Sequence, residues 1–279
     1  MKVPLRILQG FLEEDTPFGD LTSETLAQGI QCVAGIITHE EGIIAGVEEA
    51  TDLFSSLDLA VRPQVQDGTW SPPETRVLEI AGEAAKILLA ERTVLNVMGR
   101  MSGIATMTRR LVDTVHAINP QCRIASTRKT APGLRFLDKK AVMLGGGESH
   151  RFTLSDMILI KDNHLAFVPL EEAITRAKAQ GPYRVIEVEV TTPLMAEEAV
   201  RLGAHVIMLD NMRPVEVAET LTLLENEGIR KMVIVEISGG ITEENIQDYA
   251  VQAVDVISMG NLTHSVRSLN MSLEILDRE

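Results

Sequence analysis

Between Ile124 and Met259 the chain repeats one arrangement six times: a short apolar run that stops abruptly at charged, polar or glycine residues. The first three are Ile124-Ala125-Ser126-Thr127 into Arg128-Lys129, Met157-Ile158-Leu159-Ile160 into Lys161-Asp162-Asn163-His164, and Val185 to Val190 carrying Glu187 and Glu189. The others are Val206-Ile207-Met208-Leu209 into Asp210-Asn211, Val233-Ile234-Val235 into Glu236 and Ser238-Gly239-Gly240, and Val254 to Met259 into Gly260-Asn261. Apolar runs this short, separated by roughly 20–30 residues of helical pattern, predict parallel strands buried on both faces. Polar groups at the carboxyl ends of such strands converge on one face of a barrel, where α/β-barrel enzymes build their active sites. The chain therefore reads as an enzyme. Six strands are two short of the full barrel, so the expected class is α/β, with an incomplete, six-stranded parallel barrel.

The intervening segments carry helix punctuation. Thr192-Pro193 supplies a cap and a first-turn proline, and Gly203 stops that helix. Arg213-Pro214 precedes the pattern Val215, Val217, Ala218, Leu221, Leu223 and Leu224, which ends at Gly228, and Thr242-Glu243-Glu244 is expected to start another helix. Upstream, Val33 to Val47 and Thr75 to Gly82 alternate and carry glycines, as antiparallel strands and turns do. A long helical stretch follows from about Ala84 to Ile118. Residues 1–105 are expected to form an amino-terminal α+β sandwich domain to which the tail 265–279 returns, and residues 106–264 the barrel.

Composition narrows the class of partner. The 279 residues are 45% hydrophobic without an 18-residue apolar stretch, so no membrane span is expected. Lys2 and Arg6 are followed at once by Glu13, Glu14 and Asp15, so no signal peptide is visible and a cytoplasmic location is expected. Cys32 and Cys122 offer at most one bridge and read as free buried thiols. A net charge of −14 argues against nucleic acid as a partner.

Against that negative excess, cations gather between Thr127 and His164: Arg128, Lys129, Arg135, Lys139, Lys140, His150, Arg151 and Lys161. Such a cluster at strand ends and loops predicts a pocket for a polyanion. Glu189 and Asp210 stand at the ends of the next two strands, the pair that a Mg²⁺ held mostly through water and substrate phosphates requires. Ser238-Gly239-Gly240 and Gly260-Asn261 with His264 offer backbone N–H groups at helix starts, a phosphate cradle. Glu187 and Glu189 point the same way along one strand, so periodicity leaves open which faces the metal. His39, His116 and His205 match no motif and read as structural or exposed; His164 reads as a brace of its loop, Asp15 and Asp20 as turn and cap residues.

At these residues the sequence resembles the quinolinate phosphoribosyltransferases. The resemblance runs from Glu14-Asp15 and Gly19-Asp20-Leu21-Thr22 through Glu91-Arg92-Thr93, Ser102 to Thr106, Thr127-Arg128-Lys129-Thr130, Gly145-Gly146 and His150-Arg151. It continues through Ile160 to His164, Glu187-Val188-Glu189-Val190, Met208 to Met212, Ser238-Gly239-Gly240-Ile241 and Gly260 to Ser265. It implies phosphoribosyl transfer from phosphoribosyl diphosphate to quinolinate with decarboxylation, giving nicotinate mononucleotide, diphosphate and CO₂ in NAD biosynthesis. It also implies a homodimer or dimer-based hexamer with shared active sites, in which Arg92 reaches the neighbouring subunit's site. Arg128, His150, Arg151 and Lys161 match the family's quinolinate-binding positions, and Lys129 the place where the two substrates meet. Glu189 and Asp210 match its metal and ribose-side carboxylates, and Ser238, Gly239, Gly240, Gly260 and His264 its 5′-phosphate region. Ala131 and Asn261 depart from the family's commoner residues. The rival readings are a same-fold phosphoribosyltransferase acting on another aromatic acid, such as the molybdenum-transport-associated relatives, and a non-catalytic barrel that binds phosphorylated ligands.

Overall fold

A computed structural model describes residues 1–278; Glu279, the last residue of the tail, lies outside the described residues. The first elements are α1 (Leu5–Asp15), α2 (Leu21–Leu26), β1 (Gln31–Thr38), β2 (Gly42–Ile43), α3 (Val47–Ser55), β3 (Ala60–Pro63), β4 (Trp70–Ser71), β5 (Thr75–Glu83) and the long α4 (Ala84–His116). Then follow β6 (Arg123–Ser126), α5 (Arg135–Leu144), β7 (Ile158–Ile160), α6 (Asp162–Leu165), α7 (Leu170–Lys178), β8 (Ile186–Val190) and α8 (Pro193–Arg201). The last are β9 (Val206–Asp210), α9 (Pro214–Asn226), β10 (Ile234–Ser238), α10 (Ile246–Ala250), β11 (Val256–Met259), α11 (Asn261–His264) and β12 (Met271–Arg278).

The chain forms two compact units, the first comprising Met1–Arg109, Ala131–Gly146 and the stretch from Ser265 onward. Its main sheet has the order β12-β1-β5-β3, all antiparallel. Ala34 and Ile36 on β1 and Val77, Leu78 and Ile80 on β5 have no exposed surface, which gives this sheet its apolar face. The segment Ala131–Gly146 groups here and not with the parallel strands. Two buried ion pairs account for that: Asp138 takes Arg100 in a fork at 2.8 and 3.0 Å, and Lys140 bonds Glu49 at 2.7 Å and also Glu48. Buried charges are tolerated only with such partners, so α5 is tied to the helices that supply them.

The second unit, Arg110–Thr130 and Gly147–His264, holds all six parallel strands, in the order β6-β11-β10-β9-β8-β7. The first and last of them in sequence, β6 and β11, are hydrogen-bonded neighbours, and Ser126 and Leu159, on the edge strands β6 and β7, line one cavity, so the sheet curls round on itself. It stays open between β6 and β7, which do not pair; only the bridge Ala125↔Glu148 extends β6 toward that gap. This is the six-stranded incomplete barrel. Val188, Ile207, Val235 and Ile237 are wholly buried, as strands covered by helices on their outer face require.

Punctuation acts where the residues announce it at Thr192, Gly203 and Gly228. The Thr192 hydroxyl accepts from the Met195 N–H at 3.2 Å, and Gly203 and Gly228 take left-handed φ of 92° and 69° after α8 and α9. Thr242 does not start its helix: α10 begins at Ile246, because the Asn245 amide closes the preceding loop by accepting from Thr242 N–H and donating to the Gly240 carbonyl. β10 also runs past Val235 to Ser238, which makes Glu236 a mid-strand residue and not a strand end.

Candidate active site

The carboxyl ends of the parallel strands open into a cavity of about 510 Å³ within the second unit. Alternate residues of each strand face it, as the pleat dictates: Leu159 and Lys161 beside β7, Met208 and Asp210 on β9, Glu236 and Ser238 on β10. Arg128, Lys129, His150, Arg151, Glu189, Gly239 and Gly240 complete the part of the wall read from the sequence. Gly260 and His264 stand next to it, because a methyl group built on Gly260 would lie 3.0 Å from Lys129 Cδ and 3.1 Å from His264 Cδ2. The Thr263 hydroxyl donates to the Lys129 carbonyl at 2.9 Å, which fixes α11 against that strand end.

Arg92 is not among the residues that line this cavity. It belongs to the first unit, where it is exposed and lines a different cavity, of about 350 Å³, with Glu14, Asp15 and Asn96.

Three arrangements set the electrostatics. Lys161 Nζ donates to Glu189 Oε2 at 2.8 Å. Burial pushes the Glu189 carboxyl above its ordinary value; Lys161 opposes this, and neighbouring Asp210 adds to it. Asp210 Oδ2 accepts from the Asn211 side-chain amide at 2.7 Å, and Asn211 holds a left-handed φ of 54° while its N–H donates to the Ser238 carbonyl. Two neighbouring hard oxygen donors at the strand ends suit a small divalent cation that keeps most of its own water.

Deeper in the barrel, His150 Nε2 stands 3.3 Å from both Glu187 Oε2 and Glu236 Oε2. Burial disfavours the imidazolium, but the two carboxylates outweigh it and raise the His150 pKa to about 9. These three groups bring metal-donor atoms within 4.8 Å of one another. A protonated imidazole has no lone pair to give, so the charge is balanced by the proton. Glu187 is wholly buried, whereas Glu189, one pleat period nearer the strand end, borders the cavity. That separates two carboxylates which periodicity alone leaves equivalent.

Arg128 and Arg151 form the third arrangement. Burial first, and then the charge of Arg128, lowers the Arg151 pKa. Among the described residues neither arginine forms an ion pair, and the buried Nε of Arg128 has no hydrogen-bond partner. Two forked cations with open donors match planar carboxylates in a bound ligand.

Sequence reasoning missed Glu236, Met208 and Asn211 as parts of this wall. For Glu236 the signal was present: a charge flanked by Val235 and Ile237 inside an apolar run. His164 braces its loop as expected, its Nδ1 accepting from the Lys161 N–H at 2.9 Å. Asp20 caps α2 through the Thr22 and Ser23 N–H groups.

Comparison with known proteins agrees with this geometry. The sequence matches the amino-terminal domain of quinolinate phosphoribosyl transferase over residues 20–102 and its carboxyl-terminal domain over residues 104–274. The chain belongs to the quinolinate phosphoribosyltransferase family. Its activity is that of the family, phosphoribosyl transfer to quinolinate with decarboxylation, in NAD biosynthesis. A probable carboxylating nicotinate-nucleotide pyrophosphorylase from Methanothermobacter thermautotrophicus is 44% identical over 96% of this chain and 98% of its own. The human carboxylating enzyme is 33% identical, covering 98% of this chain and 92% of its own. Among solved structures, the nicotinate-nucleotide pyrophosphorylase of Francisella tularensis superposes with a TM-score of 0.90 at 35% identity, covering 98% of both chains. That of Ehrlichia chaffeensis gives 0.92 at 31%, covering 99% of this chain and 100% of the other.

Proposed function

We propose that this quinolinate phosphoribosyltransferase reaction runs in the barrel cavity, with quinolinate held at its cationic side and phosphoribosyl diphosphate spread from Lys129 to the glycine-lined strand ends. The observation that carries the assignment is the distribution of charge within one cavity: Arg128 and Arg151 line it without an ion pair among the described residues, while Lys161 lies on Glu189, beside Asp210. The arginine forks and His150 clamp the two adjacent carboxylates and aim the pyridine nitrogen at C1 of the sugar. As the nitrogen bonds to C1, the C1–O bond breaks and its electron pair leaves with diphosphate. The sugar passes through an oxocarbenium-like state, so positioning and neutralisation of the leaving group supply most of the acceleration, and no protein nucleophile is required.

Lys129 sits at the junction and balances charge on the departing diphosphate. Glu189 and Asp210 would hold Mg²⁺, which when bound neutralises diphosphate oxygens. Ser238, Gly239, Gly240, Gly260 and His264 take the 5′-phosphate, chiefly through backbone N–H groups; Gly260 precedes α11, whereas Gly239 and Gly240 lie in the loop before α10 and not at a helix start. Once glycosylated, the ring nitrogen is cationic. The adjacent carboxylate then leaves as CO₂, its bonding pair stays on the ring carbon beside that cation, and a proton replaces it.

The proposal extends to assembly and location: a homodimer or dimer-based hexamer in which Arg92 serves the neighbouring subunit's site, in the cytoplasm. The resemblance supports the first part, and the free, buried Cys32 and Cys122 are consistent with the second. Among the described residues no helix is long and apolar enough to cross a membrane. Purified protein supplied with phosphoribosyl diphosphate, Mg²⁺ and a panel of pyridine carboxylates tests the reading. Quinolinate should yield CO₂ and diphosphate in equal amounts; diphosphate without CO₂, or with another acid in preference, would overturn it.

A further inference from the structure

Two carboxylates in the barrel contact no substrate in the scheme above, yet they are its most deeply buried acids. Glu187 on β8 is 0% exposed and Glu236 on β10 is 2% exposed. They come from strands separated by β9, and both reach the same atom, Nε2 of His150, at 3.3 Å. Both oxygens of Glu187 and Oε1 of Glu236 have no hydrogen-bond partner. Apolar residues of similar size would stabilise this layer better than two carboxylates and an imidazole, since desolvating ions generally costs more than their pairing returns. Stability therefore does not explain the arrangement.

His150 carries a second mark. Its φ is 52°, in the left-handed region that a side chain with a Cβ adopts at a cost. The strained backbone turns the ring inward, and the carboxylates take its Nε2. No hydrogen bond engages Nδ1 among the described residues, and His150 lines the cavity.

We infer that Glu187 and Glu236 are positioning residues for acid recognition, gripping His150 by Nε2 so that its Nδ1–H is presented to a carboxylate of the pyridine substrate. The grip does two things at once. It anchors the Nε2 edge of the ring between two strands, and it places negative charge beside His150 and Arg151 before any ligand arrives. The substrate then meets a rigid, preorganised donor set and loses little free energy to ordering it. This rests on the assignment of His150 to the acid-binding side.

A double-mutant cycle on the full chain, read by steady-state kinetics, tests it. Glu236→Gln keeps the volume and removes the charge. It should raise the KM for quinolinate about tenfold or more, the scale of one lost charge-assisted hydrogen bond, and move the KM for phosphoribosyl diphosphate less than about twofold. In a His150→Asn background the same substitution should add nothing. An equal effect in both backgrounds, or a parallel rise of both KM values, would overturn the inference. If Glu236→Gln fails to fold, Glu187→Gln carries the same expectations. Should His150→Asn itself leave quinolinate KM unchanged, the site assignment fails and the inference with it. Should His150→Asn raise that KM while both glutamine variants leave it unchanged, the inference alone fails.

Discussion

Substitution of Gly239 by alanine puts the geometry of the strand-end loop to a quantitative test. Gly239 has a φ of 90°, where a Cβ is strained; such a conformation costs an L-residue about 1–2 kcal/mol. The added methyl group would also lie 2.6 Å from Asn211 Cγ and 2.9 Å from the Asn211 backbone nitrogen. Backbone cannot swing aside as a side-chain tip can, and overpacking of this kind costs about 1–3 kcal/mol. Together the loss is roughly 2–5 kcal/mol, a fall in Tm of roughly 5–15 °C at this chain size. Gly240 is the control: its φ is 65° but nothing lies within 4 Å of a methyl group added there, so alanine costs about 1–2 kcal/mol from backbone strain alone. Thermal unfolding of the two variants, followed by circular dichroism, compares them directly. The Gly239→Ala chain should also show the larger rise in KM for phosphoribosyl diphosphate, because displaced Asn211 releases its 2.7 Å bond to Asp210. Equal melting of the two variants, or a less stable Gly240→Ala chain, would refute the close packing of Asn211 on Gly239.

Removing either Glu189 or Asp210 as the corresponding amide should weaken phosphoribosyl diphosphate use far more than quinolinate binding, and undiminished turnover in excess chelator would contradict their role with a divalent metal. An inactive Arg92→Ala chain mixed with an inactive Lys161→Ala chain should recover activity through mixed dimers with one complete site; no recovery after confirmed subunit exchange would place Arg92 in its own subunit's chemistry or outside the site. The folded chain holds the His150 proton up to about pH 9, whereas the unfolded chain releases it near the ordinary imidazole value of about 6.5. Its contribution is therefore full below that lower value and lost as pH rises through the upper one, by at most roughly 3 kcal/mol. Denaturant unfolding at about pH 6 and about pH 9 should show the decline, and a slope as steep in His150→Asn would assign it to other groups.

The barrel was legible because its signals are local. Apart from that of β10, the apolar runs end within a residue of their strands' ends, and Thr192, Gly203 and Gly228 punctuate helices through bonds and dihedrals confined to a few residues. The polar strand ends were legible for the same reason, since parallel strands place all their carboxyl ends on one face. What escaped depends on register and curling. Glu236 reads as a strand end until β10 is seen to continue through Ile237 to Ser238. That it meets His150, together with Glu187 from another strand, is decided only when the sheet closes over residues far apart in sequence. Counting cations also overstated the free charge, because Lys161 lies on Glu189 and His150 on two carboxylates. Among the described residues, Arg128, Lys129 and Arg151 are the cavity-lining cations without ion pairs.

The most direct measurement is the ratio of kcat/KM for quinolinate to that for nicotinate, in the unmodified chain and in Arg151→Ala. A site whose arginine forks await two carboxylates leaves buried donors unpaired when the second carboxylate is missing, and discrimination of that kind reaches roughly 10⁴-fold. The unmodified chain should approach that preference for quinolinate, and Arg151→Ala should reduce quinolinate use much more than nicotinate use. Comparable kcat/KM for the two acids in the unmodified chain would contradict the assignment of the cationic wall to a dicarboxylate.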